Sequence, residues 1–139
     1  MKTSIKLALV LLMFQSSYTY AYQITAKDTS GRVFKSGEVV EDSNRYQVIY
    51  NVDEAKKTLA AKKETNLKTG EEFTGSAVYE IVDQPTIEQF KLGNSLKAIR
   101  FNPTIATIET ISFSKGEYNY TKTTEAYVNL YHGTYEIDF

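Results

Sequence analysis

The chain has 139 residues, of which 16 are basic, 17 are acidic and none is cysteine. Two of the basic residues, Lys2 and Lys6, lie in the leader predicted below, so 14 basic and 17 acidic residues remain, a net charge of about −3. This balance predicts no binding to nucleic acid or to an anionic membrane surface, because both need a basic protein surface. Without cysteine, the chain has no disulfide, thiolate metal site or cysteine nucleophile.

The first predicted element is a secretory signal peptide at residues 1–21. A positively charged start is followed by the unbroken apolar run LALVLLMF at residues 7–14, and small residues then lead to Ala21. This layout is typical of a leader cleaved after Ala21. The alternative is a membrane anchor, but the apolar run is far shorter than the roughly 20 residues that cross a bilayer. We therefore expect a secreted or periplasmic protein with one domain at residues 22–139.

The first half of that domain alternates between apolar and polar residues. YQITA at residues 22–26 predicts a strand, and Asp28–Gly31 predicts a turn because Asp, Ser and Gly accept turn geometry. RYQVIYNV at residues 45–52 is the cleanest strand pattern in the chain.

The stretch from Asp53 to Glu64 favours two interpretations. Its alanines and lysines favour a helix, which Asp53 could cap, yet Leu59 is its only large apolar residue, so a helix would have almost no face to bury. We prefer a turn at residues 53–56 followed by a strand at residues 57–64.

A hairpin loop is predicted next at residues 66–70, with Gly70 in the left-handed conformation. Beyond it, alternation places Phe73, Ala77, Tyr79 and Ile81 on one face. The remaining strands are predicted at residues 96–101, 107–113, 116–122 and 125–139.

Together these elements predict an all-β fold. It is a single-domain antiparallel meander of about eight strands that forms a small barrel or a sandwich. The strand and turn rhythm of VIYNVDEAKKTLAAKKETNLKTGEEF at residues 48–73 resembles that of small lipocalin-like barrels. The resemblance implies a barrel that binds an apolar ligand. The Gly-x-Trp signature of that family is missing, because SGRVF at residues 30–34 has no tryptophan.

The last strand, YHGTYEIDF at residues 131–139, is also typical of a small outer-membrane β-barrel. Every strand of such a barrel needs an apolar outward face, whereas Arg100, Glu109 and Lys122 interrupt other strands. We therefore expect no integral membrane insertion and keep the membrane barrel as a further alternative.

Tyrosines are the main functional clue, because 11 are present and five lie in the last quarter of the chain. Tyrosine suits a half-buried pleated surface, so these residues favour core packing, or else the walls of a binding cavity. The candidate ligand-binding residues are Tyr118, Tyr120, Tyr127, Tyr131, Tyr135 and Arg100.

Groups that carry catalysis are scarce. His132 is the only histidine, which leaves no histidine pair for a metal site, and no glycine-rich phosphate loop is present. The adjacent carboxylates at residues 41–42 and 71–72 point to opposite faces of a strand, although carboxylates distant in sequence could still meet. We expect no enzyme activity, no metal and no cofactor.

The function predicted from the sequence is therefore an exported, soluble, non-catalytic binding module for a small apolar or carbohydrate ligand. The alternative is a secreted protein that binds another protein, of the virulence or adhesion type, through a sheet edge or a tyrosine patch.

Overall fold

A computed structural model describes residues 21–139, so all of the predicted signal peptide except Ala21 lies outside the described residues. The described chain forms ten strands and one short helix. In chain order these are β1 (Ala21–Lys35), β2 (Glu38–Glu41), β3 (Tyr46–Asp53), β4 (Thr58–Asn66), β5 (Glu72–Thr74), β6 (Val78–Asp83), α1 (Ile87–Lys91), β7 (Leu96–Asn102), β8 (Thr107–Ser114), β9 (Glu117–Thr123) and β10 (Tyr127–Asp138).

Eight of the strands close into an antiparallel barrel. Neighbouring strands follow the order β10-β9-β8-β7-β6-β4-β3-β1, and β1 pairs with β10 to complete the ring. The short strands β2 and β5 pair with β1 and β4 outside this ring. The all-β prediction is confirmed, and the architecture is the barrel rather than the sandwich. In this part of the chain, no helix has the length and apolar character needed to cross a membrane.

The turn predicted at Asp28–Gly31 is wrong, because β1 runs through it from Ala21 to Lys35. The register between β1 and β10 shifts between Asp28 and Ser30, where Thr29 is an extra residue. The Thr29 hydroxyl donates to the backbone carbonyl of His132 on the opposite strand. Pairing with β10 before and after Thr29 therefore converts a turn-forming sequence into a β-bulge.

The ambiguous stretch after Asp53 is a turn followed by strand β4, which confirms the preferred interpretation. Gly70 has a φ of 75°, as the hairpin prediction requires. The common face predicted for Phe73 and Tyr79 is wrong, because residues 75–77 separate β5 from β6. Phe73 is 45% exposed, whereas Tyr79 is buried.

The interior of the barrel has an apolar end and a polar end. Helix α1 closes the apolar end. Its N-cap residue is Thr86, whose side chain accepts a hydrogen bond from the Gln89 N–H. The buried Phe90 ring of α1 lies 5.7 Å from the Tyr135 ring, and Tyr135 packs in turn against Phe113. The other end of the interior carries charged residues and tyrosines.

Candidate functional site

The polar end of the barrel contains a cavity of about 330 Å³. Residues 74–77, the irregular segment between β5 and β6, form part of its wall. The inward-facing side chains of the surrounding strands supply most of the rest. The charged residues among them are Asp28, Glu64, Arg100, Glu109 and Lys122, and the tyrosines are Tyr46, Tyr50, Tyr79, Tyr118 and Tyr120.

Glu109 is the centre of a hydrogen-bond network on one wall of the cavity. It is buried and lies opposite Arg100 in the β7–β8 register, so the Arg100 Nη1 reaches its Oε2 at 3.1 Å. The Tyr79 hydroxyl donates to the Glu109 Oε1 at 3.4 Å, and the Tyr120 hydroxyl donates to the same oxygen. Both carboxylate oxygens of Glu109 are therefore occupied by fixed donors.

The two tyrosines of this network have raised pKa values. Burial is the main cause for each. The nearby Glu109 carboxylate raises the pKa of Tyr79 further, and Tyr79 together with the hydrogen bond to Glu109 does so for Tyr120. Both phenols therefore remain neutral hydrogen-bond donors over the physiological pH range.

Asp28 and Glu64 supply carboxylates from β1 and β4, the strands on either side of β3. The Asp28 Oδ2 accepts the Tyr46 N–H at 2.9 Å. Burial raises the pKa of Asp28 to about 6, against the lowering effects of that hydrogen bond and of Arg45. Burial and the Glu109 carboxylate raise the pKa of Glu64. Within residues 21–139, neither Asp28 nor Glu64 forms an ion pair.

Tyr50 and Tyr118 also line the cavity, and both are almost completely buried, with 5% and 3% of their surfaces exposed. The Tyr50 ring is held edge-on by the Tyr79 and Phe113 rings, at centroid distances of 6.3 and 5.9 Å. Neither hydroxyl has a hydrogen-bond partner among the side chains and backbone groups of the described range. Within the described residues, the fully buried side-chain polar atoms without a partner are the Oε1 atoms of Glu54 and Gln84, so the two tyrosine hydroxyls remain accessible to water or to a ligand.

Three of the six residues predicted from the sequence meet at the cavity, namely Arg100, Tyr118 and Tyr120. Tyr131 is close by, because its ring centroid is 6.0 Å from that of Tyr120, and its hydroxyl donates to Asp42.

The other two predicted residues lie elsewhere. Tyr135 belongs to the apolar packing beside Phe113 and Phe90. Tyr127 lies opposite Lys35, where β1 and β10 extend away from the cavity. The structure therefore does not bring Tyr127 and Tyr135 to the cavity.

Sequence reasoning missed the acidic half of the site. Glu109 was detectable, because it alternates in phase with the buried Ile111 and Phe113. Asp28 also alternates in phase with the buried Ile24 and Ala26. The turn wrongly predicted at residues 28–31 prevented its assignment to the interior of the barrel.

Two further observations concern the single histidine and metal binding. The His132 Nδ1 lies 2.9 Å from the Asn119 Oδ1, and this exposed pair is outside the set of cavity residues. Over the range 21–139, no group of three or more His, Cys, Asp or Glu side chains is arranged to hold a metal ion.

The fold and the site together define a closed, eight-stranded antiparallel barrel with a polar, tyrosine-lined cavity at one end. Comparisons with protein-family models, curated proteins and solved structures find no match to this chain.

Proposed function

We propose that the protein is an exported, soluble, non-catalytic binding protein that holds a small polar ligand in the barrel cavity. The observation that carries this proposal is the placement of two half-buried carboxylates, Asp28 and Glu64, and the almost completely buried Tyr50 around one cavity, with no ion pair to either carboxylate within residues 21–139. Buried charges and hydroxyls without partners reduce stability, so a barrel selected for stability alone would pack this end with apolar side chains. The α1 end of the same barrel is packed in that way.

The chemistry of the lining also distinguishes between the two ligand classes expected from the sequence. An apolar ligand would remove water from Asp28 and Glu64 without replacing their hydrogen bonds, which is unfavourable. A hydroxyl-rich ligand such as a carbohydrate can bond to these carboxylates and to the tyrosine hydroxyls. The volume of the cavity, at the lower end of the roughly 300–1,000 Å³ typical of ligand pockets, favours a small molecule.

Export and solubility are supported by two separate features. The predicted leader at residues 1–21 supports export. The outward positions of the barrel strands include exposed charged residues, namely Lys27, Glu80, Lys97 and Glu136. Lipid-facing charges cost about 2–4 kcal/mol each near the centre of a bilayer, so these positions favour water around the barrel.

The absence of catalysis is proposed from the state of Glu109. The cavity lining includes three carboxylates, and acid and base hydrolysis of a glycosidic bond uses a pair of carboxyl groups. Both oxygens of Glu109 already accept hydrogen bonds from Arg100, Tyr79 and Tyr120, which leaves it poorly placed to attack a substrate. Release of reducing ends from an oligosaccharide panel would contradict this part of the proposal.

A second candidate function, binding to another protein, is favoured by an exposed apolar group at the β7–β8 turn. Phe101, Ile105 and Ile108 are 62%, 61% and 41% exposed, and Phe101 pairs with Ile108 across the hairpin. Affinity capture from envelope or host extract, with Phe101→Ser as the control bait, tests this alternative. It predicts a macromolecular partner that the variant loses.

The main proposal is tested by protein-observed NMR titration with a panel of monosaccharides, disaccharides and polyols. Ala61 on β4 lines the cavity, whereas its neighbour Ala60 occupies the opposite face of the strand. Ala61→Leu is expected to abolish binding by filling the cavity, and Ala60→Leu is expected to preserve it. Binding that survives Ala61→Leu, or shifts that map away from the cavity, would refute the proposal.

A further inference from the structure

The charges around the cavity are not balanced. Asp28, Glu64 and Glu109 provide three carboxylates, and Arg100 and Lys122 provide two cations. Arg100 is already paired with Glu109. Lys122 makes no ion pair within the described range, so the two remaining carboxylates, Asp28 and Glu64, share the cavity with one remaining cation, an excess of one negative charge.

The carboxylates contribute to the raised pKa values of two neighbouring tyrosines, Tyr46 and Tyr50. Burial is the main cause of the raised pKa of Tyr46, and the carboxylates of Glu64, Asp42 and Asp28 raise it further. Tyr50 has a raised pKa for the same main reason, with added contributions from Tyr79, Glu64, Asp28 and Glu109. Several carboxylates therefore act together on the wall formed by β1, β3 and β4, where a positive charge would be stabilised.

The buried tyrosines add an observation that is independent of charge. The Tyr50 side chain is 95% buried, and its hydroxyl lines the cavity without a partner in residues 21–139. The Tyr118 side chain is also almost completely buried and lines the cavity, and its hydroxyl likewise has no partner in the described residues. These hydroxyls can bond to the neutral polar groups of a ligand, and aromatic faces near an ammonium group add a cation–π attraction.

Building on the proposed function, we infer that the ligand of this cavity is a small organic cation, with an ammonium group held between the carboxylates of Asp28 and Glu64. The hydroxyls of Tyr50 and Tyr118 bond to the hydroxyl or ether groups of the same molecule. An amino sugar or an amino alcohol has this combination of groups. A carboxylate-bearing ligand would add to the excess negative charge of the cavity, and a neutral sugar would leave that excess uncompensated.

The test is a charge-matched ligand panel, titrated at pH 7 by NMR and calorimetry. Each set contains a neutral sugar or polyol, its amino analogue and its carboxylate analogue, for example glucose, glucosamine and glucuronate. The amino member of a set is expected to bind at least about 10-fold more tightly than the neutral member, and the carboxylate member is expected to bind most weakly.

A double variant connects that preference to the two carboxylates. Asp28→Asn with Glu64→Gln keeps the shape of the cavity and is expected to reduce amine binding to the level of the neutral analogue. The matched control is Glu80→Gln with Glu136→Gln, which removes two exposed carboxylates from the outside of the barrel and should leave the preference unchanged. Thermal unfolding of both double variants establishes that they are folded.

The outcomes separate this inference from the proposed function. Equal binding of neutral and amino members at the cavity would overturn the inference and leave a neutral-ligand binding protein. An amine preference that persists in the Asp28→Asn and Glu64→Gln double variant would overturn it as well. Cavity signals that do not respond to any member of the panel would count against both the inference and the proposed function.

Discussion

The guanidinium of Arg100 lies 3.1 Å from the carboxylate of Glu109, and the two residues face each other directly in the register of β7 and β8. The Glu109 side chain is only 10% exposed, whereas that of Arg100 is 36% exposed. The carboxylate therefore depends on its partners for compensation, because little water can reach it.

We expect Arg100→Met to lower the free energy of unfolding by about 2–4 kcal/mol, because it leaves a buried carboxylate without its cation. The double variant Arg100→Met with Glu109→Gln should recover part of this loss, since a neutral amide needs no counter-charge. Urea unfolding of the wild type, both single variants and the double variant gives the coupling energy. Additive losses from the two single substitutions would contradict the pairing.

Asp28 predicts a specific dependence of stability on pH. Its pKa rises to about 6 in the folded protein from an ordinary value of 3.8, so folding favours the protonated acid. The charged carboxylate destabilises the fold at pH 7, and this penalty disappears as the pH falls through 6 toward 4. The surrounding groups are Arg45, Glu64, Asp42 and the Tyr46 N–H.

The Asp28→Asn variant isolates this effect. At pH 7 it should be more stable than the wild type, by about 1–2 kcal/mol after allowance for partial solvent screening. The difference should become small near pH 4, where the folded wild-type acid is protonated, and should vanish below the ordinary pKa of 3.8, where the acid is protonated in both states. Chemical unfolding at several pH values measures it, and a difference that does not vary with pH would be inconsistent with the raised pKa.

Gly133 is expected to be essential for closure of the barrel. A Cβ atom at this position would lie 1.9 Å from the Lys27 carbonyl oxygen and 2.5 Å from the Tyr118 ring, on the seam between β1 and β10. Gly133→Ala should therefore destabilise the protein by about 3 kcal/mol, because the backbone must move to admit a methyl group. Thr134→Ala, at the exposed neighbouring position, should change stability by less than about 0.5 kcal/mol. Similar midpoints for the two variants would refute this close approach.

Two tyrosine substitutions should have different effects although each removes one hydroxyl. Tyr120→Phe breaks the hydrogen bond to Glu109 and should cost about 1–2 kcal/mol of stability. Tyr50→Phe removes a hydroxyl without a partner in the described chain, so stability should change by less than about 0.5 kcal/mol while ligand binding weakens. Equal destabilisation by both substitutions would show that the Tyr50 hydroxyl has a structural partner.

Much of the barrel could be predicted from alternation alone. RYQVIYNV alternates cleanly and forms strand β3, and TIETISF forms strand β8. The turn residues at Asp28–Gly31 misled the prediction, because turn propensity is local while pairing with β3 and β10 is set by the whole barrel. The β-bulge at Thr29 accommodates these turn-forming residues within a continuous paired strand.

The cavity was harder to predict than the strands. Tyr118, Tyr120 and Arg100 were recognised, and their neighbour Glu109 lies on the adjacent strand β8, but Asp28 and Glu64 come from strands that are distant in sequence. Glu64 illustrates the difficulty, since the irregular β3–β4 register between Ala61 and Lys63 moves it out of phase with the inward-facing Leu59 and Ala61. No periodicity in the sequence reveals that shift. Only the closed register shows which carboxylates share the cavity.

The most direct test of the central claim is native mass spectrometry of the protein purified from its own host without denaturation. We predict a bound small molecule, released on collisional activation, in the wild type and in Ala60→Leu, and its loss in Ala61→Leu. The further inference predicts that the released molecule carries an amine. A ligand-free mass for each of the three proteins, with no small polar molecule restored by incubation in host extract, would contradict the assignment of the cavity as a binding site.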